Sequence, residues 1–438
     1  MATKRFVVLG LARPRTPWFS DVGRWASAGT APLEFVKCVS PEEVRARLAG
    51  GQVFSALLLD GSHSGADRDL IDCARNVGTA TFVVHNGGSR DWIELGAASV
   101  LAADFGQIEL LGALEVQASA VDDVTRRDAA PHPLGQDGAG TGSRYSGRLV
   151  AVTGGGGSGR SLIAMGLAQA LADDPRHQGH IVLADLCLRS GQGMLHDATD
   201  VVPSVTELVD SFRSGSPSPA TVRGMTFEIG ERGYDLLLGL RRRRDWAALR
   251  PRAVAAALAG LLTAYRWVIA DTDDDLEGEL QGGSVEVEER NILARTSLGT
   301  ADVVVATGRA DLPGIHGLVH TLHELSEFGI DAKRVVPVLT LAPRSPRARA
   351  GLTTALAELA PTARERSRLA APVFIPELRR VAAALSDGGR LPSGLARNLA
   401  SAVVAAADAT TDNTATSPSE PARIQPGSLG QFAQQHSD

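Results

Sequence analysis

Cysteine, lysine and long apolar runs are all scarce in this chain of 438 residues. Its three cysteines, Cys38, Cys73 and Cys187, are too few and too scattered for a disulfide framework or a four-thiolate zinc site, which fits a reducing cytosol. The longest apolar-plus-glycine run, Ala253–Leu262, falls well short of the roughly 20 residues that a bilayer requires. The opening MATKRFVVLG carries neither the apolar core nor the cleavage site of a secretory signal. The expectation is a cytoplasmic protein. An excess of positive charge is missing as well. Lys and Arg number 44 against 50 Asp and Glu, a formal net charge of −6, so no global basic field announces a nucleic-acid binder. Lysine occurs only at Lys4, Lys37 and Lys333, so a single Lys-to-Arg exchange carries little weight here.

Apolar residues make up 44% of the chain and charged residues 21%, enough to bury real cores, and the length predicts two or three domains. Residues 1–121 alternate short apolar runs with helical segments. Strands are predicted at Arg5–Leu11, Ala56–Asp60, Thr81–His85 and Ala98–Leu101. Helices are predicted at Pro41–Leu48, opened by Ser40, and at Glu109–Val116. Residues 122–147, rich in Pro, Gly, Asp and Ser, read as a disordered linker. A second alternation runs over 148–408, with strands at Leu149–Thr153, His180–Ala184, Leu236–Leu240, Trp267–Ala270, Val303–Thr307 and Val335–Leu339. Residues 409–438 are polar and Pro-containing and read as a disordered tail. The fold class expected is α/β, with two doubly wound parallel-sheet domains.

The most informative segment is Val150–Ala164, VAVTGGGGSGRSLIA. An apolar strand runs into Gly154, Gly155, Gly156, Gly157, Ser158, Gly159, Arg160 and Ser161, and an apolar helix follows to about Ala172. Glycines allow successive backbone N–H groups to face phosphate oxygens, and the helix start adds its positive dipole end. The hydroxyl of Ser161 stands where a P-loop binds Mg²⁺, and Arg160 stands where the phosphate-binding Lys would be. The run also satisfies G-x-G-x-x-G at Gly154, Gly156 and Gly159, but a glycine tract makes that match nearly automatic. Asp185, the acidic residue ending the next strand, lies beyond the usual ribose-binding distance, so NAD is a minor alternative.

These residues, with Asp185-Leu186-Cys187 and Arg189-Ser190-Gly191 after the next strand and Asp271 ending Trp267–Ala270, resemble the MinD/ParA group of deviant P-loop ATPases and its CpaE/TadZ-like branch. The strand 301–307, Val373–Pro376 and Gly388–Pro392 follow in the same order. The resemblance implies ATP or ADP with Mg²⁺ held by Ser161, Asp185 and Asp271, a homodimer, and protein partners in a division or pilus and secretion machinery. Four positions depart from the pattern, and of these Gly155 and Cys187 stand against turnover. Gly155 occupies the signature-Lys position, Arg160 the P-loop Lys, Cys187 the second Asp of Asp-x-Asp, and Thr340 the adenine-contacting Asn. Phosphoryl transfer rests on positioning and charge stabilisation, so no confident catalytic residue is assigned, and ATP hydrolysis is expected to be weak or absent.

The first domain resembles a response-regulator receiver. Asp60 ends a strand at the phospho-acceptor position, but Ala12-Arg13 replaces the acidic pair and Ala102-Ala103 the Lys, which implies a pseudo-receiver that docks or dimerises. Arg241–Arg244 reads as a solvated loop, so no specific DNA binding is expected. The acidic stretch from Asp271 reads, beyond Asp271 itself, as an exposed insertion. His316, His320 and His323 share one face of a predicted helix as a polar stripe. Pro251–Ala264 reads as a core or interface helix. The tail has no amphipathic period, so attachment to a membrane or cell pole is expected only through partners. The function expected is a nucleotide-binding localisation or scaffold protein for septum placement or Flp/Tad pilus assembly. The alternatives are an active ATPase of the same group and a regulator that has lost nucleotide binding and acts by protein contacts alone.

Overall fold

The computed structural model describes residues 6–50, 52–85, 87, 90–119, 147–177, 179–279, 283–359 and 370–414, with side chains to residue 410. The first sheet holds β1 (Phe6–Leu11), β2 (Leu33–Cys38), β3 (Ala56–Asp60), β4 (Ala80–Val84) and β5 (Ser99–Leu101). Their order is β2-β1-β3-β4-β5, all parallel. This is the flavodoxin-like order of a doubly wound sheet. Period two decides the faces: Phe6 and Val8 pack on one side with Leu110 and Leu114, while Val7, Leu9 and Leu11 pack on the other with Val44 and Leu70. The sequence patterns for β1, β3, β4, β5 and the helix Pro41–Ala49 are borne out, with Ser40 capping that helix by accepting from Glu43 N. Strand β2 and the helices Pro17–Ser27 and Arg68–Asn76 are additions to the sequence expectation, and each helix carries an apolar face, with Trp18, Phe19 and Val22 in one and Leu70, Ile71 and Ala74 in the other. Strand β2 is an edge strand, buried only at its two ends, so alternation is lost.

The second sheet holds β6 (Arg148–Thr153), β7 (Ile181–Asp185), β8 (Phe227–Ile229), β9 (Tyr234–Leu237), β10 (Trp267–Asp271), β11 (Val303–Arg309), β12 (Val335–Thr340) and β13 (Val373–Ile375). Their order is β13-β12-β11-β6-β10-β7-β9-β8, parallel except for the antiparallel edge pair β8–β9. Both faces of the central strands are covered. Leu149 and Ala151 point into one core, with Leu258 and Leu261 of the helix Pro251–Ala264, and Val150 and Val152 into the other, with Ile163 and Leu167 of the helix Arg160–Ala172. The strand expected at Leu236–Leu240 ends earlier, at Leu237. Leu238 makes only a single bridge to Ser204, and Gly239 lies so close to Asp185 and Ser190 that a Cβ there would fall 2.7–2.8 Å from them.

The two sheets meet through helices. Helix Arg68–Asn76 lies against helices Val205–Ser214 and Pro251–Ala264. Arg68 Nε donates to Phe212 O at 3.2 Å, Arg252 N to Asp69 Oδ1 at 3.0 Å, and Arg213 pairs with Asp67 at 3.7 Å. Helix Pro251–Ala264 therefore serves both the core of its own unit and the contact between units. The segment between the sheets is outside the described residues, as is the tail beyond Thr414. Helix Arg397–Thr414 itself continues past the point at which the tail is expected to start.

Candidate functional site

The site is built at the carboxyl ends of β6, β7 and β10. Register places it: Asp271 is the Cα partner of Asp185 on one side and of Val152 on the other, so the two strand-ending carboxylates stand beside the start of the glycine loop. Strand β11 leaves on the far side of β6. The direction in which the strands are added reverses there, which in open α/β sheets opens a cleft at the strand ends.

The loop is fastened from below. Thr307 Oγ1 donates to Thr153 O at 2.9 Å. Its one proton is thereby spent, so Ser158 Oγ donates to Thr307 Oγ1 at 2.8 Å. Thr340 Oγ1 donates to Ser158 O at 2.8 Å. Gly154 adopts φ +141°, and a Cβ there would lie 2.3 Å from Thr307 O, so only glycine permits this approach. Gly159 opens the helix at φ +85°. A cleft of about 330 Å³ runs beside the loop, lined by Gly155, Gly156, Ser158, Thr307, Arg309 and Asp311 among others. Thr307, named in the sequence only as the end of a strand, and Thr340, noted there only as a missing Asn, both act as fasteners of the loop.

Arg160 does not face the cleft. Its Nε donates to Asp271 Oδ1 at 2.9 Å, its Nη2 reaches Cys187 Sγ at 3.1 Å, and its Nη1 lies 3.5 Å from Gly154 O and 3.4 Å from Asp273 Oδ1. Burial alone would lower its pKa, but the carboxylates of Asp271 and Asp273 raise it above the ordinary arginine value. Burial, followed by the neighbouring carboxylates, holds the Cys187 thiol far above its usual range, so the sulfur is protonated, and it donates to Asp271 O at 3.4 Å. Asp273 is raised by burial, against the opposing pull of the Leu188 N–H donated to it at 2.6 Å. Asp273 therefore joins the site, whereas the sequence reading placed it in an exposed insertion. Elsewhere in that stretch Asp275 takes Arg290 and Asn291, and Glu288 takes Arg295.

Asp185 is fully buried and acts as a cap for the turn after β7. Its Oδ2 accepts from Ser190 Oγ, Gly191 N and Gln192 N at 2.6–2.9 Å, and its Oδ1 from Cys187 N at 3.3 Å. Burial, then the nearby Asp271, raises its pKa. Gln192, just past the segment quoted from the sequence, is also fully buried and donates to Asp271 Oδ2 at 2.7 Å and to Ser161 O at 3.1 Å. Its only cue was a polar residue after a glycine turn.

Asp185, Cys187 and Asp271 are the one cluster of metal-type ligand atoms among the described residues, all within 4.8 Å of one another. Yet every carboxylate oxygen of Asp185 and Asp271 already accepts a hydrogen bond. Of the set expected for Mg²⁺, Asp185 and Asp271 come together in space, and the guanidinium of Arg160 already stands on Asp271. Of the remaining sequence features, Arg241–Arg244 are exposed, with Arg241 paired to Glu207. His316, His320 and His323 form an exposed stripe in which His320 faces Glu324 and His323 faces Glu327. In the first unit, Asp60 is buried and accepts from Ser62 N and Oγ.

No family model matches the chain, and no curated protein matches it. Solved structures similar to it include a ParA family ATPase from Chlorobium tepidum, 17% identical, covering 61% of this chain and 98% of that one at a TM-score of 0.45. A cell division ATPase MinD from Pyrococcus furiosus is 16% identical, covering 61% and 100% at 0.40. The septum site-determining protein MinD from Pyrococcus horikoshii, complexed with Mg-ADP, is 14% identical, covering 63% and 99% at 0.39. No helix among the described residues is long and apolar enough to cross a membrane.

Proposed function

We propose that the chain is a nucleotide-binding localisation or scaffold protein of the MinD/ParA type, in its CpaE/TadZ-like branch, with weak or absent ATP hydrolysis. It acts by dimerising through the face that carries the glycine loop. A pseudo-receiver unit recruits partners of a septum-placement or Flp/Tad pilus machinery. The observation that carries this reading is the contrast within one site. The loop Gly154–Gly159 leads from β6 into the start of a thirteen-residue helix, and an open cleft runs beside it. This is the arrangement that receives anions. The groups that would drive phosphoryl transfer are diverted or missing: Arg160 is turned onto Asp271, and a protonated thiol at Cys187 stands in place of a carboxylate. In the first unit, Asp60 keeps the phospho-acceptor position without acidic neighbours at Ala12-Arg13, which supports a docking role there.

The test is calorimetry with ATP and with ADP on the wild type and Gly159→Trp, with phosphate release followed in the same samples and folding checked by thermal melting. Micromolar binding that the folded variant loses, without turnover, is expected. Steady turnover would restore the ATPase reading. Absence of binding at millimolar nucleotide would leave a regulator acting by protein contacts alone.

A further inference from the structure

We propose that Arg160 is the resident cation of this site: its guanidinium stands where a divalent ion would sit, so the loop takes phosphate-bearing ligands without Mg²⁺. The argument starts from the acceptors. Asp271 is a buried carboxylate at the strand end and Asp273 a half-buried one just beyond it, and buried charge needs a partner. One planar fork reaches both of them, together with Gly154 O and Cys187 Sγ, and its side chain is only 17% exposed. A lysine is a single point charge on a flexible stem and could leave for a phosphate. A guanidinium has donors in fixed directions, and here three acceptors meet them while Asp273 stands within ion-pair distance. If Arg160 rose to meet a phosphate, two carboxylates would be left behind without their cation.

The other neighbours hold the carboxylates in place. Gln192 covers Asp271 Oδ2, and three donors cover Asp185 Oδ2. Beside these two carboxylates Cys187 places a soft sulfur rather than a hard oxygen, a poor partner for Mg²⁺. The phosphate is therefore left to the backbone N–H groups of the loop and to the start of helix Arg160–Ala172, neither of which depends on a metal. The chemical class of ligand is a nucleoside di- or triphosphate bound as the free anion. This part rests on the nucleotide reading above; the displacement of the metal does not.

The experiment uses the full chain and Mn²⁺ alone, an ion with the same preference for carboxylates, followed by electron paramagnetic resonance. Wild type is expected to bind no Mn²⁺ at millimolar ion. Arg160→Ala, checked for folding by thermal melting, is expected to gain one Mn²⁺ per chain and to lose it again with Asp271→Asn added. Binding of Mn²⁺ by the wild type, or a folded Arg160→Ala that binds none, overturns the proposal. Should the variant fail to fold, the wild type still decides. ATP affinity in EDTA and in MgCl2 is expected to agree within about twofold, whereas affinity more than about tenfold tighter with Mg²⁺ overturns it. Absence of nucleotide binding in either buffer removes the nucleotide reading, and the Mn²⁺ measurement on wild type continues to decide the role of Arg160.

Discussion

At the scale of the residue, small groups in the glycine run have unequal tasks. Gly154 threads between β6 and β11, where a Cβ would strike Thr307 O at 2.3 Å and Thr307 Oγ1 at 2.4 Å, and its φ of +141° excludes a side chain independently. Gly156 has nothing within 4 Å of an added Cβ and no left-handed backbone. Gly154→Ala is therefore expected to destabilise by about 2–4 kcal/mol, and Gly156→Ala by no more than about 0.5 kcal/mol. Urea denaturation of the two variants checks this, and equal losses would refute the assigned clash. The spacing of the loop was legible because glycine, hydroxyl and strand-to-helix order are local. The direction of Arg160 was not. Whether it faces a phosphate or two carboxylates depends on β10, which arrives more than a hundred residues later.

At the scale of the element, the short turn after β7 joins the site to the edge of the sheet. In the helix Gln192–Leu195 and just beyond it, Gln192 faces Asp271 while His196 faces β9. His196 Nδ1 is 2.8 Å from Gln192 O, which can only accept, so Nδ1 carries the proton. Tyr234 then donates to Nε2 at 2.7 Å. Burial drives both shifts, lowering His196 to about 4 and raising Tyr234 to about 12. A histidine held below its unfolded value of about 6.5 stays neutral in the fold, and its contribution is complete above that value. Stability from this turn is therefore lost as pH falls from about 6.5 towards about 4. Thermal melting across that range should show a slope that His196→Gln removes; an unchanged slope would refute the assignment.

At the scale of the whole molecule, one of the polar contacts between the two units has an opposite response to acid. Asp69 lies under helix Pro251–Ala264, with Oδ1 accepting from Arg252 N and Oδ2 buried without a partner. Burial raises its pKa to about 6; the hydrogen bond from Arg252 works against this, and the charge of Asp67 adds to it. A carboxyl held above its unfolded value of about 3.9 favours the fold while protonated, so its contribution is complete below that value and is lost as pH rises through about 6. Asp69→Asn keeps the acceptor and removes the buried charge. The variant is expected to melt higher than wild type at pH 8 and to match it near pH 4, as read by calorimetric scans of the full chain. A variant that melts lower than wild type at pH 8 would show that the carboxylate holds the contact. Between about pH 4 and 6 the slopes from His196 and Asp69 oppose each other, so each variant should expose the other's.

Local chemistry was readable in the chain by itself. Apolar runs of five or six residues marked the buried parallel strands, the glycine run with Arg160-Ser161 marked the loop, and strand-ending Asp185 and Asp271 marked the carboxyl edge. Each is a pattern within a few neighbouring residues, where backbone geometry and burial act directly. Tertiary structure decided what those groups do to one another. The pairing of β10 between β6 and β7 set Asp271 against Arg160, brought in Gln192 and Asp273, and stood Asp271 beside Asp185, which caps a turn. It also seated Asp69 beneath a helix more than 180 residues away. Contacts of that separation are fixed by strand order and register, which no short window of sequence contains.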